Sequence, residues 1–271
     1  MSHLFEYQFF IYALIGVVLI SISAAIIGTY IISRRLVAIS GGVTHACFGG
    51  LGLGYFLGIS PVLMAAVFAV ASSLGVELAS TRGRIREDSA IAVIWALGMA
   101  IGVLFVFMTP GYVPELNSFL FGNILSISSD DLIAFAAFTI IVSLFFLLFY
   151  RRIVACAFDR DFAQVCGLHP RIINYAMTVF VAVCIVLTIR MVGVMLLMSM
   201  LSLPIMTAEI FFRRFSSIMT AGILVSVVTS LAGLFIGTLA DIPCSAFIVL
   251  INAALYIASK IFSLIFNANR L

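Results

Sequence analysis

Long apolar runs separated by short polar breaks restrict the fold of this chain more than any other feature of its sequence. The runs reach the length of about 20 residues that a helix needs to cross a membrane, and they lack the strict alternation of membrane strands. Hydrophobic residues make up 64% of the 271-residue chain, and charged residues make up 9%. The sequence therefore predicts an all-α, polytopic integral membrane protein, a helical bundle of about nine transmembrane helices within a range of roughly eight to ten. We treat residues 1–271 as a single domain.

The predicted spans begin and end at polar or turn-forming residues. They are Phe9–Ser33, Leu36–Leu57, Pro61–Ser80, Ser89–Met108, Leu132–Tyr150, Ile172–Ile189, Val192–Phe212, Ser217–Leu239 and Cys244–Phe266. Between the fourth and fifth spans, Thr109–Asp130 is longer than a simple loop needs to be. Its apolar centre, Phe119–Ile127, is expected to form a short half-helix on or in the bilayer.

The basic residues predict how the chain is oriented in the membrane. Of the 14 Lys and Arg residues, 11 fall at every second break between spans, Lys260 and Arg270 lie near the carboxyl terminus on the same side, and only Arg190 falls at one of the other breaks. By the positive-inside rule those breaks face the cytoplasm, which places the amino terminus outside and the carboxyl terminus inside. At one of these breaks Glu77, Glu87 and Asp88 lie close to several arginines, and we interpret them as part of a solvated loop.

The second span is rich in glycine at helical spacing. Gly42, Ala46, Gly50, Gly54 and Gly58 recur every four residues and so form one ridge of the helix. Such a stripe of small residues lets a neighbouring membrane helix approach closely. The residues that we predict to serve helix packing and gating are Gly41, Gly42, Gly49, Gly50, Gly54 and, as the site of a kink in a later span, Pro204.

The neighbouring ridge of the same span carries His45 between Gly41 and Gly49, so that the imidazole is expected to have free space beside it. A neutral imidazole is a common ligand of divalent transition metals. Buried ionisable groups in membranes are costly unless they line a pathway or find a partner. The residues alone leave two interpretations open, namely a contact for a metal ion in transit and a histidine hydrogen-bonded to a neighbouring helix.

A short helix that does not span the membrane is predicted between Arg151 and Arg171. Its signals are Asp159 as N-cap, Asp161 in the first turn, Gly167 at the C-cap position and an apolar face formed by Phe162, Val165 and Cys166. This face is too small to insert in a bilayer, but it suits a groove on another protein. The alternative is a helix that lies flat on the membrane or packs on its own chain. The chain has no GxxxxGK[ST] motif, so an energy source would be a separate protein.

Several stretches in collinear order resemble the zinc/manganese permease family of ABC importers, whose membrane subunits work with a separate ATPase and a metal-binding protein. The resemblance extends from about Ile26 to Ile251 and is carried by RRLVAISGGVTHACFGGLGLG, RGRIREDSAIAVIWALGMAIGVLF, SFLFGNILSISSDDL, FDRDFAQVCGL, RMVGVMLLMSMLSLPIMTA and DIPCSAFIVLI. It implies a type II-like importer permease that forms a homodimer around a central pathway.

The resemblance also implies roles for particular residues. The short helix corresponds to the family's coupling helix, which docks on the ATPase, and its residues are Asp159, Asp161, Phe162, Ala163, Val165 and Gly167. In the second-span motif GDxxxHA, His45 matches the histidine, but Gly41 replaces the aspartate and Ser40 the glycine. A lone imidazole from each protomer suits zinc, or transient contact, better than it suits a hard ion such as manganese.

The sequence thus predicts the permease subunit of an ATP-driven importer of divalent transition metals, with zinc first and manganese or iron next. The chain is expected to be no enzyme and to hold no permanent cofactor, only the transported zinc or manganese ion. Its expected partners are a cytoplasmic ABC ATPase, an extracytoplasmic metal-binding protein and a second copy of itself, with no nucleic acid, in the bacterial plasma (inner) membrane. One alternative is a permease for siderophores or cobalamin. Another is a gradient-driven secondary transporter, which would need carboxylates at mid-membrane and internal symmetry, and neither is evident.

Overall fold

The computed structural model describes residues 7–81, 83, 85–110, 122, 124 and 127–268. Within these ranges the regular elements are the helices α1 (Gln8–Ser33), α2 (Val37–Leu57), α3 (Pro61–Thr81), α4 (Glu87–Met108), α5 (Ser129–Phe158), α6 (Arg160–Val165), α7 (Pro170–Phe211), α8 (Phe215–Leu239) and α9 (Cys244–Ala268). Eight of the helices in the described part are long and apolar enough to cross a membrane, and α6 is the short exception. The prediction of an all-helical, multi-pass membrane protein is confirmed.

The long helix α7 contains a break that divides it into two segments. Gly193 has φ 78° and ψ 173°, which is not a helical conformation. The sequence predicted two spans here with a turn at Arg190 and Met191, so the break lies slightly later than predicted. The reason is that glycine adopts a positive φ without the steric cost that a side chain would impose. Each segment is long enough to cross a membrane, and the second segment keeps helical dihedral angles through Pro204.

The connection between α4 and α5 falls mostly outside the described residues. The predicted half-helix Phe119–Ile127 belongs to this part of the chain, where only residues 122, 124 and 127 are described. After it, Ser128 begins α5 with a reciprocal cap. The Ser128 hydroxyl accepts the backbone N–H of Asp131 at 3.2 Å and donates to its carboxylate at 2.7 Å. The helix then continues to Phe158, about two turns beyond the predicted end of this span.

The first of two compact units comprises Met1–Ile32, Ser118–Phe146 and Ile189–Leu271. Some of its buried hydroxyl and amide groups form hydrogen bonds between helices, which suits a membrane interior because no water competes there. The bonds join Ser23 to Thr139 at 2.7 Å, Ser21 to Ser230 at 3.4 Å and Asn252 to Ser199 at 3.4 Å. In the same unit Asp131 and Arg190 form an ion pair at 2.9 Å. These bonds join α1 to α5 and α8, join α9 to the second segment of α7, and join α5 to Arg190 just before the break in α7.

The second unit comprises Ser33–Asn117 and Leu147–Thr188. It contains the glycine-rich helix α2, which packs against both α3 and α4. It also contains the short helix α6 with the end of α5 before it and the start of α7 after it. Because all the residues that the sequence selected for metal contact and for docking lie in this unit, the candidate sites can be described within it.

Candidate functional site

Helices α2 and α4 touch backbone to backbone. A Cβ on Gly98 of α4 would lie 2.5 Å from the Cα of Ala46 and 3.0 Å from the carbonyl oxygen of His45. One turn away, a Cβ on Gly52 would lie 3.0 Å from the Cα of Gly102. Only glycine permits such contacts, since any Cβ at these positions would overlap the partner backbone. Gly98 and Gly102 form a GxxxG pair of α4 that meets the small residues of α2.

The predicted packing glycines of α2 are divided between its two neighbours. Gly42 faces Ile91 of α4, and a Cβ on Gly49 would lie 2.8 Å from the carbonyl oxygen of Gly98. Gly50 and Gly54 instead meet the backbone at the start of α3, near Ala65 and Pro61 respectively, each with a contact of 2.8 Å. Gly41 is buried, and Gly58 ends α2 with φ 67°. The ridge of Gly42, Ala46, Gly50 and Gly54 therefore meets α4 in its first half and α3 in its second half, because α2 lies against both helices.

The imidazole of His45 lies against two side chains of α4. Its ring stacks on Trp95 with a centroid distance of 4.5 Å and an interplanar angle of 19°. Its Nδ1 atom lies 3.2 Å from Sδ of Met99. The space that the sequence suggested beside the imidazole is thus occupied, and a contact with a neighbouring helix is present. This contact uses one ring nitrogen, so it leaves the other nitrogen for a metal ion.

The described residues contain no group of three or more His, Cys, Asp or Glu side chains arranged to hold a metal ion. Gly41 contributes no ligand at the position where the resemblance implies a carboxylate. A single copy of the described chain therefore offers His45 as an isolated nitrogen ligand. Such a ligand can touch an ion briefly, but it does not by itself complete the four-coordinate shell that zinc prefers.

A buried ionic cluster in the same unit joins Arg34 to the end of α3 and the start of α4. Arg34, which follows α1, lies 3.6 Å from the Glu77 carboxylate and 2.9 Å from that of Glu87. Ser80 donates a hydrogen bond to Glu87 at 3.2 Å, and Asn174 bonds the side chain of Glu77. The side chains of Arg34 and Glu77 are each only 5% exposed. The interpretation of Glu77 as part of a solvated loop is wrong, because its side chain turns into the protein toward Arg34.

The short helix α6 is capped at both ends by its own sequence. The Asp159 carboxylate accepts the N–H of Phe162 at 2.9 Å. At the other end the cap residue is Cys166, one position before the predicted Gly167, and Gly167 follows it with φ 76°. The N–H groups of Gly167 and Leu168 then bond the carbonyls of Gln164 and Ala163, both at 3.0 Å, as in a Schellman motif. Local capping therefore stabilises a helix that is too short to persist alone.

The two faces of α6 differ sharply in exposure. Ala163 is fully buried, whereas Phe162 is 62% and Val165 is 87% exposed. Asp161 and Cys166 are also exposed. Between α6, the end of α3 and the start of α7 lies a cavity of about 760 Å³. Its lining includes Glu77, Ser80, Asp161, Gln164, His169 and Asn174. The short helix thus presents apolar side chains outward beside a cavity that is lined by both polar and apolar groups.

Sequence reasoning missed several contributors to these sites. Trp95 and Met99, which contact His45, and Arg34, which pairs with Glu77, were not selected. Two signals could have pointed to α4, since Trp95 is the one tryptophan of the chain and lies four residues before Met99 on the same helix face. The Gly98–Gly102 pair on that face was a third signal, because it predicts close approach of another helix.

These features describe a bundle of membrane-spanning helices with one short helix between two of the spans. Residues 6–263 match the model of the ABC 3 transport family, so the chain belongs to this family. The chain is 34% identical to the probable metal transport system membrane protein of Chlamydia pneumoniae, covering 88% of this chain and 84% of the relative. It is 28% identical to the manganese transport system membrane protein MntC of Halalkalibacterium halodurans, covering 97% and 90%.

The fold also matches a solved structure, PsaBC from Streptococcus pneumoniae in complex with Fab. The TM-score is 0.82 at 24% sequence identity, and the match covers 95% of this chain and 93% of that chain. At this identity the likeness concerns the fold. Together with the family match, it confirms the resemblance to divalent-metal ABC permeases that the sequence motifs indicated.

Proposed function

We propose that this chain is the membrane permease subunit of an ATP-driven importer for a divalent transition metal ion, with zinc as the first candidate and manganese or iron next. Membership of the ABC 3 transport family supports the transporter class. The names of the two relatives support a metal as cargo, and one of them specifies manganese. The chain itself performs no covalent chemistry. A separate cytoplasmic ATPase supplies the energy, and an extracytoplasmic binding protein delivers the ion.

The single observation that carries this proposal is the exposed apolar face of α6. Phe162 and Val165 project from a helix that both caps hold in place, and neither side chain packs into the chain itself. Apolar side chains on a short helix favour a groove on a partner protein. The adjacent cavity gives that partner room to reach beside the helix. We therefore assign Asp159, Phe162, Ala163, Val165 and Gly167 to the docking element for the ATPase.

The cargo pathway in this proposal passes His45 in each of two permease copies. An imidazole nitrogen is a good ligand for zinc, and without a carboxylate at position 41 the site offers little to manganese, which prefers oxygen ligands. One nitrogen from each copy also binds weakly, which is useful in a conduit because a tightly bound ion would not leave. Zinc is therefore placed ahead of manganese on the chemistry of the ligand.

Transport in this scheme depends on helix sliding. ATP hydrolysis moves the partner against α6, and the close glycine contacts of α2 with α3 and α4 allow shear between packed helices. With the amino terminus outside, α6 faces the cytoplasm, where the ATPase is found. Pro204 and the Gly193 break give α7 two further positions at which the helix can bend.

Docking is tested with the double variant Phe162→Ser/Val165→Ser, and Gln164→Ala on the same helix is the matched control. The double variant is expected to express normally, since both side chains are exposed, but to lose ATPase co-purification and metal uptake. The control is expected to keep both. Uptake by the double variant at the wild-type rate would contradict the docking role. Transport by the purified chain under an ion gradient, with no ATPase present, would contradict the proposal as a whole.

Orientation is tested with a native thiol. All five cysteines lie in the described part of the chain, and among them only Cys166 is exposed. A membrane-impermeant maleimide is expected to label Cys166 in inside-out vesicles. It should not label Cys166 in intact cells whose cell envelope lets the reagent reach the outer face of the plasma membrane. Added ATPase should protect it, because Cys166 adjoins the docking face. Labelling of Cys166 from outside the cell would reverse the proposed topology.

Metal contact is tested by measuring zinc and manganese uptake in a strain that lacks its own importers. His45→Ala is expected to reduce zinc uptake strongly. Gly41→Asp, which restores a carboxylate one helical turn from His45, is expected to improve manganese uptake relative to zinc because it adds a hard oxygen ligand. Expression and monodispersity of each variant serve as controls. Unchanged zinc uptake by a normally expressed His45→Ala variant would rule out the metal role of His45.

A further inference from the structure

The contact between His45 and Met99 determines which nitrogen of the imidazole carries a proton. The Nδ1 and Sδ atoms lie 3.2 Å apart. A thioether sulfur is a weak acceptor and has no hydrogen to donate. The pair is therefore a hydrogen bond only if Nδ1 is the donor. In the neutral ring this leaves the lone pair on Nε2, the nitrogen that does not face Met99.

The packing of α4 on α2 holds this contact in place. Gly98 brings the backbone of α4 against the backbone of His45 and Ala46. Met99 is the next residue, and Trp95 lies one turn before it on the same face. The stacked indole of Trp95 sets the plane of the imidazole, and the Met99 sulfur sets its rotation and its tautomer. The ring is thus oriented by two side chains of one helix.

We propose that Met99 is a positioning residue for His45, whose sulfur accepts Nδ1–H so that the Nε2 lone pair meets the transported ion. This inference rests on the proposed contact of His45 with the cargo. Histidines that ligate metals in stable sites commonly donate the other N–H to a carboxylate, which raises their basicity. An uncharged thioether orients the ring without that increase. The arrangement suits a histidine that must release its ion.

Direct ligation by both atoms is the competing interpretation. A tetrahedral zinc ion with typical bonds to nitrogen and sulfur would hold the two ligand atoms roughly 3.6 Å apart. The observed separation of 3.2 Å is shorter and matches a direct hydrogen bond. The proposal therefore assigns Met99 to the histidine and not to the ion.

The chain carries its own probe for this proposal, because Trp95 is its one tryptophan and stacks on His45. The full-length chain in detergent is titrated with Zn²⁺, and the fluorescence of Trp95 is recorded. Wild type should show a saturable change, and His45→Ala should abolish it. Met99→Leu, which keeps size but removes the acceptor, should weaken the apparent affinity about tenfold. Met99→Gln, whose amide oxygen accepts a hydrogen bond, should restore it. Met108→Leu at the end of α4 is the matched control and should behave as wild type.

A metal-free measurement accompanies the titration. Nitrogen NMR of ¹⁵N-histidine-labelled protein reports the tautomer of each ring, and among the three histidines of the chain His45 is assigned by the loss of its signal in His45→Ala. Wild type and Met99→Gln should show the Nδ1–H tautomer at His45. Met99→Leu should shift the population toward Nε2–H.

The outcomes separate the failure of this inference from the failure of the proposed function. If the saturable change survives in His45→Ala, the proposed metal contact fails, and the inference that rests on it is overturned as well. If His45→Ala abolishes the change but Met99→Leu matches wild type in both experiments, the metal contact stands and the positioning role is overturned. If Met99→Gln binds zinc as weakly as Met99→Leu although it keeps the tautomer, the sulfur is a direct ligand, and the proposal is again overturned.

Discussion

The buried cluster around Arg34 makes a sharp prediction about stability. The variant Arg34→Met replaces the arginine with an apolar side chain of similar length. Among the described ion pairs, Arg34 is the cation that lies within 4 Å of both Glu77 and Glu87. Two carboxylates then lose a partner that is almost fully buried. Removal of one member of a buried ion pair typically costs about 3 to 5 kcal/mol, because the remaining charge stays in a medium of low polarity.

The measurement is heating of the detergent-purified protein followed by size-exclusion chromatography of what remains folded. For a chain of this size, about 3 to 5 kcal/mol corresponds to a fall of roughly 10 °C in the melting temperature. Asp88→Asn is the matched control. Its ion pair with Arg86 is 3.9 Å long with side chains 66% and 85% exposed, and such surface pairs contribute at most about 1 kcal/mol.

The order of the variants tests the reasoning further. Glu77→Gln keeps the shape of the side chain and leaves Arg34 paired with Glu87, so its cost should be smaller, about 1.5 to 3 kcal/mol for the weakened charged hydrogen bond. The double variant Arg34→Met/Glu77→Gln removes the charges of Arg34 and Glu77 together. It should therefore be more stable than Arg34→Met alone, in which the buried Glu77 charge remains. If Arg34→Met melts within 2 °C of Asp88→Asn, the cluster does not stabilise the fold as argued.

Three further predictions concern helix packing, helix capping and backbone conformation. Gly98→Val should destabilise the protein by about 1 to 3 kcal/mol through overpacking against α2, and a melting temperature equal to that of wild type would contradict the backbone contact. Asp159→Ala should lower the stability of α6 by about 1 kcal/mol and speed amide hydrogen exchange in its first turn. Asp161→Ala should do neither, because the Asp161 side chain is not the N-cap of α6. Gly193→Ala should lower the melting temperature clearly more than Gly58→Ala. The backbone conformation at position 193 is accessible almost only to glycine, whereas the left-handed conformation at position 58 costs an alanine about 1 kcal/mol.

Most helix boundaries followed from the sequence alone. The predicted span Leu36–Leu57 differs from α2 by one residue at its start, and the predicted end of Ser217–Leu239 coincides with the end of α8. This agreement has a simple cause. A chain in lipid must satisfy its backbone groups within each segment, so a long apolar run becomes a helix whatever surrounds it. The caps of α6 were equally local, since Asp159 and Gly167 act on backbone groups within a few residues.

The side chains that meet at the candidate sites could not be predicted from local sequence patterns, because they are far apart in the sequence. His45 meets Met99 across 54 positions of the chain, and Arg34 meets Glu87 across 53. Glu77 looked like a residue of a charged loop, yet its side chain is buried because an arginine from another helix end lies beside it. Spacing along a helix shows which residues share a face, but it does not show which helix that face will meet.

The sequence by itself therefore determined that this chain crosses the membrane repeatedly as helices, where most of them begin and end, and that α2 packs closely through its glycines. Only the tertiary structure decided that the glycine ridge of α2 meets α4 in its first half and α3 in its second half, and that the imidazole of His45 rests on Trp95 and Met99. The physical reason is that backbone hydrogen bonding is satisfied within one segment, whereas the partners of a side chain are chosen by how separate segments pack.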